Sequence, residues 1–314
     1  MSIQSTLTME SSATDPVREE SWVDRRSGLT ANEFIKRYRN PRKPVIMNDV
    51  TRPWPIHDLA SPDYFRTHYG DQRVRVKGRD YALRELMDLL EASTLEHPAP
   101  YPCKFEIAAD LPPLLKDVLP RFPHSLPERQ TNALMPKKLY AYVNNLEIFF
   151  GGPGGKFPYL HFDVLHMHAW INQMYGHKEF TLYPPDQKHL LYVQPEMPWQ
   201  SSIENHQDPD YTRYPLLRQA RKQSVVLNPG DTLFVPCGWW HTARSLDVTI
   251  SIAFDQLAGD NWRNFRHDLC AEQRRRGHGA LSVGLLNAYL MTLGGCFGLA
   301  EKFGANRNAH WNRS

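Results

Sequence analysis

The chain has 314 residues, 41% hydrophobic and 23% charged, an ordinary globular composition that can fill a sizeable core. Thirty-seven basic against 34 acidic residues leave a formal charge of +3, too even to supply the basic face that nucleic acid demands. The four cysteines, at 103, 237, 270 and 296, lack C-x-x-C spacing, which argues against a thiolate zinc site or a disulfide framework and for reduced thiols in the cytoplasm.

Residues 1–22 are rich in Ser, Thr and acid, carry no apolar run, and read as a disordered lead-in rather than a targeting signal. Thr30 and Glu33 stand at capping-box spacing, so a helix starts near 31. "KPVIMNDV" reads as a short buried strand. Ser61-Pro62 opens a second helix and Gly70 closes it. "QRVRVKG" alternates as a strand, and "YALRELMDLLEAS" has helical periodicity. The proline-rich stretch 98–127 is expected to be irregular with short helices. Residues 23–138 thus form a mixed α/β part.

From 139 to 256 the pattern changes to short apolar or alternating runs, among them "LYAYVNNLEIFF", "YLHFDV", "AWINQMYG" and "VTISIAFDQL". Turns such as "GGPGG" and "NPGD" separate them, which indicates an all-β sandwich or barrel. After 257 the pattern returns to helix. Residues 280–300, "ALSVGLLNAYLMTLGGCFGLA", carry no charge and are long enough to cross a bilayer. Four glycines with Ser282, Asn287 and Thr292 favour a helix in a subunit interface instead. The expectation is a homodimer through the C-terminal helices, with a membrane tail anchor as the lesser reading.

"HFDVLHMHAW", residues 161–170, holds three histidines and an aspartate. With 14 His and 19 Asp, about one H-x-D triplet arises by chance, and the chain has two, at 161–163 and 206–208. His206 and Asp208 lie in "ENHQDPDYTRYP", a proline-interrupted loop that cannot hold two ligands rigidly. His161 and Asp163 fall in an expected strand, where alternation aims positions i and i+2 at one metal. "NPGDTLFVPCGWWH" supplies a third ligand, His241, at a strand end. Two histidines and a carboxylate make the facial triad of non-haem Fe(II) oxygenases. His166 and His168 have the wrong parity and are placed at the rim. Lys178 shares a face with Phe180 and Leu182, and a lysine so placed is costly to bury unless it meets an anion. Trp170, Trp239 and Trp240 are candidates for a dry pocket wall, although for Trp239 the core is the better reading.

"HFD" at 161–163, "AWINQMYGHKEFTLYPPDQ" at 169–187 and "NPGDTLFVPCGWWH" at 228–241 together resemble the JmjC family of 2-oxoglutarate oxygenases. They look most like its small hydroxylases of the asparaginyl-hydroxylase type, and "DPDYTRYP" at 208–215 resembles the linker of that type. The resemblance covers roughly 28–256. It implies a double-stranded β-helix (cupin, jelly roll) with flanking helices. It also implies Fe(II) on His161, Asp163 and His241, with 2-oxoglutarate and O₂ as co-substrates and Lys178 on the co-substrate carboxylate. Three family positions differ: the usual threonine is Pro158, one asparagine is Ile171 with Asn172 beside it, and a late-strand asparagine is Ala253. Asn172 is expected to substitute only across a bulge, and Ser251 can offer a hydroxyl instead. The resemblance implies hydroxylation of a protein or peptide side chain. The alternatives are a small-molecule hydroxylase and a cupin that keeps its metal without catalysis.

Overall fold

The computed structural model describes residues 22–139, 146–204, 206, 208–305, 307 and 311. The expected lead-in, apart from Trp22, and residues 140–145 of "LYAYVNNLEIFF" lie outside the described residues. Trp22 itself donates its backbone N–H to Gln223 Oε1 at 2.6 Å.

Local signals in the N-terminal part operate as read. Thr30 accepts from the Glu33 N–H, and the Glu33 carboxylate accepts from the Thr30 N–H, opening α1 (Ala31–Phe34), which continues as a wider helical turn over Ile35–Arg39. Ser61 caps α2 (Pro62–Tyr69), and α3 (Leu83–Glu91) buries Leu83, Leu86, Met87 and Leu90 along one face. A short α4 (Ile107–Asp110) follows. Twelve strands are described: β1 (Asp24–Arg26), β2 (Val45–Met47), β3 (Arg73–Val76), β4 (Arg79–Ala82), β5 (Cys103–Glu106), β6 (Glu147–Gly151), β7 (His168–Tyr175), β8 (Lys178–Tyr183), β9 (Gln223–Leu227), β10 (Thr232–Val235), β11 (Trp240–Ser245) and β12 (Thr249–Gln256). Three of them, β1, β4 and β5, are not announced by any pattern in the sequence, and β4 takes Tyr81 and Ala82 from the start of the stretch expected to be helical.

A seven-stranded sheet runs β1-β2-β10-β7-β12-β6-β5, and it faces a three-stranded sheet β11-β8-β9. The larger sheet packs one face on α1–α3 through Phe34, Trp170, Phe234 and Phe150. Its other face looks across at β8 and β11, and the space between is the barrel interior. This is the mainly β, double-stranded β-helix core with flanking helices that the sequence implies. The β7–β8 turn depends on Gly176, at φ +67°, where an added Cβ would sit 1.9 Å from the Val248 carbonyl oxygen.

The strand expected at "YLHFDV" is not regular. Residues 155–161 run beside β11, paired through Phe157 N–H to Ala243 O (2.8 Å) and a mutual His161–His241 bridge (3.1 and 2.6 Å). Pro158 lies between those pairs and has no N–H to give the ladder. At the other end of the chain α5 (Trp262–Arg275) and α6 (Ala280–Glu301) pack as a hairpin through Trp262, Phe265, Leu269, Leu290, Leu293 and Phe297.

Candidate functional site

His161 and Asp163 do meet, but strand alternation is not what brings them together. His161 sits on the irregular strand beside β11, and Asp163 begins a tight turn over Val164–His166. Leu165 and His166 both take left-handed backbone, at φ 61° and 51°, which reverses the chain and leaves Asp163 facing back at the sheet. The turn is fastened from α5, where Asp268 bonds His166 Nδ1 and Asn261 Nδ2 donates to the His166 carbonyl at 3.0 Å.

His161, Asp163 and His241 converge, each offering one ligand atom within 4.8 Å of the others. His161 Nε2 is 4.0 Å from Asp163 Oδ1, and His241 Nε2 is 3.8 Å from Asp163 Oδ2. The His241 Nδ1–H donates to the Trp239 carbonyl at 3.1 Å, so its lone pair is on Nε2, toward Asp163. Burial, and then the neighbouring His241, hold His161 well below the ordinary imidazole range. It is therefore neutral, as a metal ligand must be. Burial raises the Asp163 carboxyl, against the pull of His241. A carboxylate brought in from water without a cation is disfavoured, and a divalent ion would relieve that. The donor set fits Fe(II), with two imidazoles and one carboxylate on one side and open positions on the other.

Deeper between the sheets, Lys178 Nζ donates to Ser251 Oγ at 3.1 Å, and Ser251 donates to Gln173 Oε1 at 2.7 Å. Gln173 is itself anchored by donating to the Tyr175 and Gly176 carbonyls. Lys178 is 2% exposed, lies over the rings of Tyr101 and Phe149, and is pushed down by burial to about 7. No carboxylate among the described residues pairs with it. Lys178, Ser251, His161, Asp163 and His241 all line one cavity of about 210 Å³, far more than the roughly 10–15 Å³ a single water needs.

At several positions the structure departs from what the sequence suggests. Asn172 is fully buried on the opposite face of β7, where it donates to the Ile252 carbonyl and accepts from Thr232. A bulge does exist, between Ile250 and Ser251, but it leaves Ala169 and Ile171 as the pocket-facing residues of β7. His168 is not at the rim: it is fully buried, accepting from the Cys237 N–H and bonding Asp260 at 2.8 Å. Trp170, Trp239 and Trp240 belong to three separate apolar clusters and none lines the cavity. The aromatic wall is Tyr101, Phe149, Phe157, Tyr159, Phe180 and Phe254. In the second triplet Asp208 is exposed, whereas His206 is buried and its Nε2 accepts the Leu160 N–H at 2.9 Å.

The cavity also holds charged residues that no motif in the sequence marks. Asp255 lines it with no cation within 4 Å among the described residues, and burial, then Asp163 and Glu147, raise its carboxyl well above the usual range. Glu147 meets Lys104 at 2.7 Å. Asp255 is within reach of the sequence, because alternation along β12 puts Ser251, Ala253 and Asp255 on one face.

A cupin-type double-stranded β-helix that gathers two histidines and a carboxylate between its sheets is the class of scaffold suited to one divalent metal. Comparison with known proteins agrees: the cupin-like domain family matches residues 31–255, and the chain belongs to the JmjC cupin-like family. Similar curated proteins include the arginine-specific demethylase JMJ20 of Arabidopsis thaliana, 26% identical over 75% of this chain and 55% of that protein. Lysine-specific demethylase 8 of Danio rerio is 27% identical over 70% of this chain and 55% of its own length. HSPB1-associated protein 1 of Bos taurus is 40% identical over 87 residues, 26% of this chain and 18% of that protein. The chain thus spans about half the length, or less, of these relatives.

Proposed function

We propose that the protein is an Fe(II)- and 2-oxoglutarate-dependent oxygenase that oxidises a side chain of a protein or peptide. One observation carries this reading: a two-histidine, one-carboxylate cluster and a buried lysine with no carboxylate partner among the described residues face the same cavity. His161, Asp163 and His241 would hold the metal. Lys178 and Ser251, with Tyr101 beside them, would take the distal carboxylate of 2-oxoglutarate, so the lost family positions at Pro158, Ile171 and Ala253 leave the anion with partners. When bound, iron and 2-oxoglutarate supply O₂ activation coupled to oxidative decarboxylation, yielding succinate and CO₂. The chain's own contribution is positional. It fixes the His241 tautomer, keeps water out with the aromatic wall, and presents the substrate group to the open side of the cluster.

A protein substrate is supported by the arginine- and lysine-specific activities in the names of the relatives. It is also supported by Asp255, a carboxylate in the cavity wall suited to receive a basic side chain. Hydroxylation and demethylation begin with the same C–H oxidation, so the product separates them: a stable alcohol, or formaldehyde released from an N-methyl group. The test is succinate formation with Fe(II), 2-oxoglutarate and a panel of basic peptides, methylated peptides and free amino acids. Turnover of peptides supports the proposal, and turnover of free amino acids alone would move it to a metabolite hydroxylase. Metal binding with no succinate across the panel would leave a non-catalytic cupin.

A further inference from the structure

The chain turns at 236–239, between β10 and β11, and so delivers His241 to the cavity. Gly238 takes left-handed backbone in this turn, at φ +82°, and two bonds fix the turn from outside it. The Cys237 N–H donates to His168 Nδ1 at 2.9 Å, and the Trp239 indole N–H donates to the Arg42 carbonyl at 2.8 Å. Both arms end on one residue, Asp260, in the loop before α5. Its carboxylate takes the His168 Nε2–H at 2.8 Å, and its carbonyl takes a guanidinium N–H of Arg42 at 3.2 Å. Arg39 closes the group, its Nε 3.1 Å from the other carboxylate oxygen.

His168 is fully buried, and accepting at Nδ1 leaves its proton on Nε2, toward Asp260. Burial would raise the Asp260 carboxyl, but the hydrogen bond from His168 and the charge of Arg39 hold it below its ordinary value. The carboxylate therefore selects the one imidazole tautomer that receives the Cys237 N–H. The next residue, Asn261, holds the second metal-bearing segment by donating to the His166 carbonyl, in the turn that positions Asp163. The two segments lie against each other, since a Cβ added at Gly238 would be 3.5 Å from His166 Cδ2. Residues 260 and 261 thus fasten the Asp163 turn and the His241 turn to one short loop.

Given the metal proposed at His161, Asp163 and His241, on which this rests, we propose that Asp260 is a positioning residue for the His241 ligand. Acting through His168, it sets the 236–239 turn, whose Trp239 carbonyl accepts the His241 Nδ1–H and so aims Nε2 at Asp163. Co(II) titration read by the visible spectrum of the bound ion, with hydrogen exchange of the metal-free protein, tests this. Asp260→Ala frees the tautomer and His168→Leu removes the acceptor. Each should weaken Co(II) binding about tenfold or more, alter the spectrum and speed exchange over 236–241. His168→Asn should restore affinity and spectrum, because its amide oxygen stands where Nδ1 does. Leu86→Ala, a truncation on the buried face of α3, lowers stability alone and should leave both as in the wild type. Wild-type affinity and spectrum in His168→Leu, no rescue by His168→Asn, or equal weakening by Leu86→Ala would overturn the proposal. Should Asp260→Ala fail to fold, the His168 pair decides. A wild type that binds no Co(II), or an Asp163→Ala variant that still binds it, would remove the metal site and this role with it. That failure is distinct, because it shows before any variant of Asp260 or His168 is measured.

Discussion

Two histidines that look alike in the sequence part company at the level of single atoms. His161 keeps Nε2 toward Asp163, while His206, in the second triplet, uses Nε2 to accept the Leu160 N–H, the residue next to His161. Asp163→Ala is therefore expected to abolish metal binding, because it removes a ligand and a charge. His206→Ala should retain the metal and lose about 2 kcal/mol of stability, since it strands a buried N–H and opens a cavity. Calorimetric metal titration and thermal melts of the two variants check this pair. Burial pushes His206 down to about 4. Its stabilising effect is whole above the ordinary imidazole value near 6.5 and is lost as pH falls from there through about 4. The wild type should therefore lose more stability across that window than His206→Ala does. Lys178 poses the opposite problem. Standing at about 7, it is largely neutral at pH 8.5, and a carboxylate beside it would restore its charge. Binding of 2-oxoglutarate at pH 8.5 should therefore take up about one proton, and close to none at pH 6. Titrations in buffers of different ionisation enthalpy measure this, and a proton count independent of pH would contradict it.

At the scale of elements, the sequence is most informative where a local rule acts alone. The Thr30–Glu33 box, the Ser61-Pro62 start and the alternation of β3 depend on neighbours within a few residues. The stretch "YLHFDV", 159–164, reads as a regular strand and is not one: Pro158 just before it has no N–H to give the ladder, pairing with β11 holds the chain extended as far as His161, and the turn at Val164–His166 then ends it. The face taken by Asn172 is hidden because the position of a bulge depends on the partner strand, which no local pattern reports. β1 and β5 are short and complete a sheet whose other members lie far away in sequence. The turn at Val164–His166 matters most to the site. Two non-glycine residues in left-handed backbone store roughly 1–3 kcal/mol each, and α5 holds them there. Asn261→Ala should thus raise hydrogen exchange over 162–168 and weaken metal binding about tenfold, with the sheets unchanged. Undisturbed exchange there would show that the turn holds itself.

For the molecule as a whole, the metal-ligand candidates and Lys178 are legible in the sequence and alternation along β12 reaches Asp255, whereas Glu147 and the aromatic wall become visible only when the two sheets face each other. The charge held between those sheets makes the domain dependent on what it binds. Fe(II), or Mn(II) as a redox-inert stand-in, together with 2-oxoglutarate should raise the melting temperature of the wild type, because ligands that bind only the folded state stabilise it. The central claim is that one cavity holds the metal at His161, Asp163 and His241 and the co-substrate at Lys178. Its most direct test is anaerobic calorimetric titration of 2-oxoglutarate into Mn(II)-loaded protein. The expected result is tight binding to the wild type, none to Asp163→Ala, and binding to Lys178→Ala weakened at least tenfold while its affinity for Mn(II) is unchanged. Equal affinity of the wild type and Lys178→Ala for 2-oxoglutarate, or Mn(II) binding that survives Asp163→Ala, would contradict it.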